Sequence, residues 1–273
     1  MLPILFKIGP ITIYSFGFFL VLAYLAATFI LWREGRRQGY QEEKLLDLSV
    51  ISLIAAIIGA RAYFVLLNWD LFRGEPVTAF FFWQGGLAYQ GALFAVLLVG
   101  YFFVRAWKWS FFQVADIAAT AACAALILGK IGTFLAGLDY GKQTDLRWAV
   151  NLPGLVGLRH PVQLYEAGGY FLIFIFLYLL YFRNLASPNM KSGKAFFSFL
   201  ILTSIARGFL EFFRASQTTV LSWPIATLVS GAVCTLSLFA LYYFQIRDAR
   251  GDARAFLKGF LLLNNRILRK IRF

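Results

Sequence analysis

Six ionisable side chains fall inside long apolar runs: Arg61, Asp116, Lys130, Glu166, Arg207 and Glu211. A charge at bilayer depth must find water or a partner, so each is a candidate for chemistry. If successive runs cross a membrane in alternating directions, all but Asp116 approach the same face. Those five comprise three cations and two carboxylates. Matched pairs would describe a structural network, whereas a surplus cation predicts a bound anion. Phosphate suits that role, because arginine grips it with two parallel hydrogen bonds and lysine serves as a point charge. Arg207 and Glu211 stand four residues apart and so share a helix face.

Lys130 lies in "GKIGTFLAGLDYGK", residues 129–142, among Gly129, Gly132, Gly137 and Gly141. These glycines either admit a bulky ligand to the backbone or allow close helix packing, and the sequence leaves both open. "GGLAYQGAL", residues 85–93, brings the uncharged Tyr89 and Gln90 to the same face. Gln90 can donate and accept hydrogen bonds but cannot take a proton from a nucleophile. The plainer reading of Gln90 is a hydrogen bond between helices.

The elements that must position these groups follow from composition. Hydrophobic residues make up 60% of the chain and charged ones 14%, against roughly 45–50% and 25% in soluble domains. The chain therefore reads as an all-α integral membrane protein. Apolar runs of the ~20 residues a spanning helix needs fall at about 11–32, 47–67, 86–106, 112–136, 162–182, 195–213 and 222–244. The first run is long, lacks a basic leader and shows no evident cleavage site, so it reads as a span and not a removed signal. Residues 1–244 form one seven-helix domain in this reading, and 245–273 a basic tail.

Lysine and arginine set the orientation. One side collects Arg33, Arg36, Arg37, Lys44, Arg105, Lys108, Arg183, Lys191, Lys194 and the tail; the other has only Lys7, Arg73, Lys142, Arg147, Arg159 and Arg214. The N-terminus is expected outside and the C-terminus in the cytoplasm. The net charge of +13 is then mostly topological, and a nucleic-acid partner is not expected. In the tail, Phe256, Phe260, Leu263, Ile267 and Ile271 recur at helical spacing among basic residues, the pattern of a helix lying on an anionic lipid surface. Cys123 and Cys234 lie in separate spans and His160 is the one histidine, so neither a disulfide framework nor a metal site is expected. The loop at about 137–161 is the longest on the exterior side.

Six stretches in order resemble the bacterial prolipoprotein diacylglyceryl transferase family: "IYSFG" (13–17), "IGARAYFVL" (58–66), "GGLAYQGAL" (85–93), "GKIGTFLAGLDYG" (129–141), "RHPVQLYE" (159–166) and "RGFLEFFR" (207–214). The resemblance implies seven spans in the bacterial cytoplasmic (inner) membrane. It implies transfer of the diacylglyceryl group of phosphatidylglycerol to the lipobox cysteine in the signal peptide of a preprolipoprotein, releasing glycerol phosphate. No metal or organic cofactor is implied. The anion near Lys130 would be the lipid phosphodiester.

Residue by residue, the resemblance makes Glu211, Arg207, Gln90 and Glu166 catalytic candidates. It places Lys130, Arg61, Thr133, Gly132, Gly141, Asp139, Tyr14, Phe16, His160 and Arg214 at the substrates. Arg207, Glu211 and Arg214 match the family pattern fully. Lys130 stands where arginine is usual, Thr133 where asparagine or cysteine is common, and Leu138 where glutamate or cysteine is frequent. Phe16 takes the place of a usual tyrosine, with Tyr14 nearby, and Gln90 stands where many members have histidine. Glu211, Glu166, Asp139 and His160 can each take the thiol proton; Glu211 ranks first for its pairing with Arg207. Arg61, Lys130 and Arg207 are expected to share a cavity open to the outer half of the bilayer. The competing readings are a relative that is inactive or uses another acceptor, and a small transporter. The latter calls for broken helices or an inverted repeat, and no internal repeat is evident.

The charge count makes a direct prediction. In a background without native cysteines, a membrane-impermeant thiol reagent applied to intact cells will label Asp145→Cys and leave Pro188→Cys unlabelled. The reverse pattern would invert the topology.

Overall fold

Seven helices carry the apolar runs: α1 (Ser15–Arg37), α2 (Glu42–Leu67), α3 (Tyr89–Ala106), α4 (Phe111–Ala136), α5 (Val162–Ala186), α6 (Lys194–Leu210) and α7 (Ile225–Leu241). The computed structural model describes residues 2–152, 154–186, 192–215, 219–220 and 223–246. With short turns that extend α6 to Phe213 and α7 to Phe244, all seven helices are long and apolar enough to cross a bilayer. Their outward faces suit lipid: Leu66, Phe94, Leu172 and Leu236 each expose 68–75% of their surface. Residues 247–273, read as a basic surface helix, lie outside the described residues, as do Pro188 and Lys191.

The expectation of an all-α chain needs correction at the N-terminus. Residues 11–14, expected to begin the first span, form a strand (β2, Ile11–Tyr14) antiparallel to β1 (Ile4–Ile8). Gly9 turns the chain at φ +60°, Pro10 cannot extend a hydrogen-bonded helix, and β-branched Ile11, Thr12 and Ile13 favour the extended backbone. Apolarity alone could not separate this strand from the helix that follows. A second short pair, β3 (Thr219–Val220) with β4 (Trp223–Pro224), precedes α7.

Two other helix ends overrun the apolar runs because charge supports them. Near the end of α1, the buried Glu34 accepts from Arg33 Nε (2.7 Å) and Arg37 Nη1 (3.2 Å). Arg36 and Arg37 occupy the last turn, and Glu42 and Glu43 open α2. Both placements complement the helix dipole.

Contacts divide the chain into two compact units, residues 2–136 and residues from 137 onward. In the first unit α1 packs along α4, and α2 along α3. α2 and α3 meet backbone to backbone at Gly59 and Gly91, where a Cβ on Gly91 would overlap the Gly59 carbonyl. At one end Leu48, Val104 and Val114 form a buried cluster against Leu31, Tyr40, Phe103, Trp107 and Trp109. Tyr40 also donates to Gln113 Oε1 (2.9 Å). Burial pushes the Tyr40 phenol up from its ordinary pKa, against a smaller opposing effect of a backbone hydrogen bond at Ser110.

In the second unit α6 packs against both α5 and α7. α5 buries one continuous stripe through Val162, Glu166, Tyr170, Ile173, Leu177 and Tyr181, a helical repeat of three and four residues. That repeat carries a carboxylate on the same face as the core.

Gly91→Leu should therefore destabilise the detergent-solubilised protein by about 1–3 kcal/mol or more, since it overpacks a helix seam. Gly100→Ala, where nothing lies within 4 Å of the new Cβ, should leave the thermal unfolding midpoint unchanged. Equal midpoints for the two variants would remove the Gly59–Gly91 seam as a determinant of stability.

Candidate functional site

The loop after α4 is built by cross-strand backbone pairing. Lys142 donates to the Phe213 carbonyl (2.8 Å), Ala215 to that of Tyr140 (3.2 Å), and His160 to that of Lys142 (3.0 Å). Val150 and Arg159 exchange both backbone hydrogen bonds at 3.0 Å. Gly141 lies at the centre: a Cβ there would stand 2.5 Å from the His160 carbonyl oxygen and 2.7 Å from its Cβ. Only glycine lets these three segments converge. The convergence brings Asp139, His160 and Arg214 to the N-terminal end of α5 and the C-terminal end of α6.

Glu166, in the first turns of α5, is 1% exposed and receives both guanidiniums. Arg207 Nη1 donates to its Oε1 (2.9 Å), and Arg214 Nη2 lies 3.0 and 3.1 Å from its two oxygens. Glu211 Oε2 stands farther off, 3.4 Å from Arg214 Nε and 3.7 Å from Arg207 Nη2. Asp139 Oδ1 is 3.6 Å from Arg214 Nη1. Asp139 holds φ +58°, a conformation that aspartate tolerates better than most residues. Burial works against the charge on Arg214, but Glu166, Asp139 and Glu211 outweigh it and raise the pKa of this guanidinium above its usual value.

Two expectations change here. Arg207 has a shorter ion pair with Glu166 than with Glu211, its neighbour on the same helix face. The cluster also sets three carboxylates against two guanidiniums, so the cluster itself carries no cationic surplus. Arg207 remains the more open cation, with 34% of its side chain exposed against 10% for Arg214.

His160 sits beside this cluster in an aromatic group. Its ring centroid is 5.2 Å from that of Phe213, and its Nδ1 is 3.5 Å from Tyr165 Oη, the outer limit of a hydrogen bond. Trp148 Nε1 donates to the same hydroxyl (2.7 Å). Tyr165 then has its own proton to offer the imidazole.

The remaining sequence candidates belong to residues 2–136. Arg61 is buried and clamps the loop between α2 and α3. Its Nε donates to Ala79 O (2.8 Å), Nη1 to Gly85 O (2.6 Å) and Gly86 O (3.1 Å), and Nη2 to Thr78 O (2.7 Å). Four of its five N–H groups are thus spent on carbonyls, and no carboxylate among the described residues pairs with it. Gly85 and Gly86 adopt φ +92° and +70°, and a Cβ on Gly86 would stand 2.8 Å from Arg61 Nη1.

Lys130 is half-buried near the end of α4, and its carbonyl accepts from Thr133 Oγ1 (2.9 Å). Gly132 is buried against Phe19 and the Phe16 backbone on α1, which makes it a packing glycine in the α1–α4 seam. Tyr14 and Phe16 open α1 at the same level and are exposed, as is Gln90 in the first turn of α3. The expected cavity shared by Arg61, Lys130 and Arg207 would draw on both units; Arg61 and Lys130 fall in one, Arg207 in the other.

Sequence reading missed Gln163. It is 1% exposed and its side chain donates to the Leu138 carbonyl, holding the loop beside Asp139. It also missed the Arg61 carbonyl clamp, whose one signal was the Gly85–Gly86 pair.

With this architecture in view, the family is settled by comparison. The model of the prolipoprotein diacylglyceryl transferase family matches residues 3–243, and the chain belongs to that family. The chain is similar to proteins called phosphatidylglycerol–prolipoprotein diacylglyceryl transferase in several bacteria. It is 31% identical to that of Trichormus variabilis over 254 residues, covering 90% of each chain. For Geobacter sulfurreducens the identity is 32% over 245 residues, covering 88% of this chain and 92% of the relative. For Lysinibacillus sphaericus it is 31% over 258 residues, covering 90% and 93%.

The shared carboxylate yields a stability prediction. Glu166→Gln should cost on the order of 3 kcal/mol, because removing one partner leaves buried charges uncompensated. Glu211→Gln, whose ion pairs are longer, should cost less. Chemical unfolding of the two variants in detergent checks the order; a greater loss for Glu211→Gln would overturn it.

Proposed function

We propose that the chain transfers the diacylglyceryl group of phosphatidylglycerol to the lipobox cysteine of a preprolipoprotein, as a multi-pass enzyme of the bacterial cytoplasmic membrane. The observation that carries this reading is the ion cluster of Glu166, Arg207, Arg214, Glu211 and Asp139, set in a chain of this family. The basic loops support an N-terminus outside and a C-terminus in the cytoplasm, which puts the 137–161 loop and the ion cluster on the exterior side.

The reaction is an alkylation. The cysteine sulfur forms a bond to the glyceryl carbon that carries the phosphate. The carbon–oxygen bond to phosphate breaks, and glycerol phosphate leaves with the electron pair. Two demands follow: a group that takes the thiol proton, and cations that meet the charge growing on the leaving phosphate.

The geometry favours a division of labour between the acids. Glu166 already accepts hydrogen bonds from both guanidiniums, so taking a proton would cost it those bonds. It positions Arg207 and Arg214. Glu211, at longer range from the same cations, is the better proton acceptor, with His160 and Asp139 as the groups at hand to pass the proton on. Arg207, the more exposed guanidinium of the cluster, is suited to meet the phosphate; Lys130 is given that role by the family resemblance alone. The family resemblance alone gives Tyr14, Phe16, Gln90 and Thr133 a place at the substrates, whereas Gly132 and Gly141 serve backbone packing and Arg61 holds the α2–α3 loop.

The test is incubation with phosphatidylglycerol and a lipobox peptide, followed by mass spectrometry of the peptide. Lys130→Ala should cut transfer about a hundredfold, the ~3 kcal/mol that one contact to a transition-state anion is worth, while the protein stays folded. Lys130→Arg should retain most activity or exceed it, because a guanidinium restores two parallel hydrogen bonds. Transfer by Lys130→Ala at the parental rate would show that the phosphate site is wrongly placed.

A further inference from the structure

His160, the one histidine of the chain, has one ring nitrogen engaged and the other open. We propose that Tyr165 holds His160 as the neutral tautomer protonated on Nε2, so that His160 donates a hydrogen bond to a phosphate oxygen and carries no proton. Of the two groups at hand to receive the thiol proton from Glu211, this leaves Asp139. The phosphate half of the proposal rests on the transfer reading above; the tautomer does not.

Backbone and packing place the ring. His160 N donates to Lys142 O (3.0 Å), and Val162 N donates to His160 O (2.9 Å). The imidazole stands edge-on to Phe213 and Tyr165, at centroid distances of 5.2 and 6.1 Å. Those two rings meet each other at 6.5 Å and 80°. Three rings in mutual contact leave the imidazole little room to turn, with Nδ1 toward the Tyr165 hydroxyl.

Hydrogen-bond direction then decides where the imidazole proton sits. An indole N–H can only donate, so the Trp148 contact (2.7 Å) makes Tyr165 Oη an acceptor. The phenol keeps its own proton to give. The other polar atom within its reach among the described residues is His160 Nδ1, 3.5 Å away. A neutral imidazole has one donor and one acceptor nitrogen; with Nδ1 accepting, the proton is on Nε2. The opposite tautomer would aim two N–H donors at one phenol oxygen and leave the phenol proton without an acceptor among the described residues. A contact of 3.5 Å is weak, yet it need only choose between two forms that differ in the position of one proton.

Nε2 meets no polar group among the described residues, and the side chain is half-buried. The neighbouring cluster shows which role is wanting. Glu166, Glu211 and Asp139 already offer proton acceptors, whereas Glu166 takes hydrogen bonds from both guanidiniums. Donors to an anion are what this site is short of, and a fixed neutral N–H supplies one.

The test labels the chain with histidine carrying the NMR-active nitrogen isotope, so that one ring gives every signal. It is run in detergent at about pH 8.5, where an ordinary imidazole is neutral; couplings to the ring hydrogens tell the nitrogens apart. Nε2 should carry the proton, and Nδ1 should show the shift of a bare nitrogen accepting a hydrogen bond. Tyr165→Phe keeps the ring and should move Nδ1 to the position of an unbonded nitrogen. Trp148→Phe frees the phenol to rotate and should move it part of the way. A protonated Nδ1 in the parent, or an Nδ1 signal that Tyr165→Phe leaves unmoved, overturns the tautomer. Glycerol phosphate should shift Nε2 where the same concentration of glycerol does not; equal responses overturn the phosphate assignment. In transfer to a lipobox peptide, His160→Leu should lower turnover on the order of a hundredfold, the scale of one donor lost from a developing anion. His160→Gln restores an N–H donor but no basic nitrogen, and should recover roughly tenfold of that loss. Equal loss in both variants overturns the donor role. A parental chain that transfers no lipid overturns the enzymatic reading instead, and the nitrogen signals still decide the tautomer.

Discussion

The second unit depends on one carboxylate held by two guanidiniums. Glu166 comes from α5, Arg207 from α6 and Arg214 from the turn beyond α6, so a single buried acid ties together the ends of two helices. The pairing is exacting, because ions taken out of water recover their hydration only when most of their hydrogen bonds are remade. Glu166 meets that condition with three contacts from two sides. The stripe on α5 below it is apolar or aromatic, so register along the helix decides whether the acid or a hydrophobic side chain reaches the cations. The hydrophobic face orients α5, and the ion cluster fixes how far it can slide.

The sequence made the helices legible because lipid demands long uninterrupted apolar runs, and seven such runs stand out in this chain. The same uniformity hid the N-terminal hairpin, since a mostly apolar strand, Ile11–Tyr14, next to a spanning helix looks like more helix. Charge partners were legible only where they are local. Spacing paired Arg207 with Glu211 on one helix face, while the shortest contact goes to Glu166, 41 positions away. The loop between Gly137 and Pro161 could be seen to be long, yet its pairing with Phe213–Ala215 depends on backbone groups that every sequence shares.

Arg61 and Lys130 illustrate how little a residue type says about a buried cation. Both were read as phosphate ligands in apolar settings. Arg61 spends its fork on carbonyls of the adjoining loop, a use for which its planar, multi-donor head is suited and an ammonium is not. Lys130 keeps a compact charge on a flexible stem near the end of α4. The glycines divide likewise: Gly59, Gly91 and Gly132 serve helix contact, whereas Gly85 and Gly86 supply the backbone angles that aim two carbonyls at one guanidinium.

The convergence at Gly141 also governs how this chain can change in length. Residues 140–142 are bonded on one side to Phe213–Ala215 and on the other to His160, so an inserted residue there would shift Asp139 against Arg214 and break three hydrogen bonds at once. Farther along, Val150 and Arg159 close a lobe that Gln143 ties back at the Val156 carbonyl (2.8 Å), whereas a Cβ on Gly154 would meet nothing within 4 Å. An added residue is therefore absorbed at the Gly154 end of the lobe at far lower cost than at residues 140–142, and the lobe can lengthen there while its two ends keep their positions.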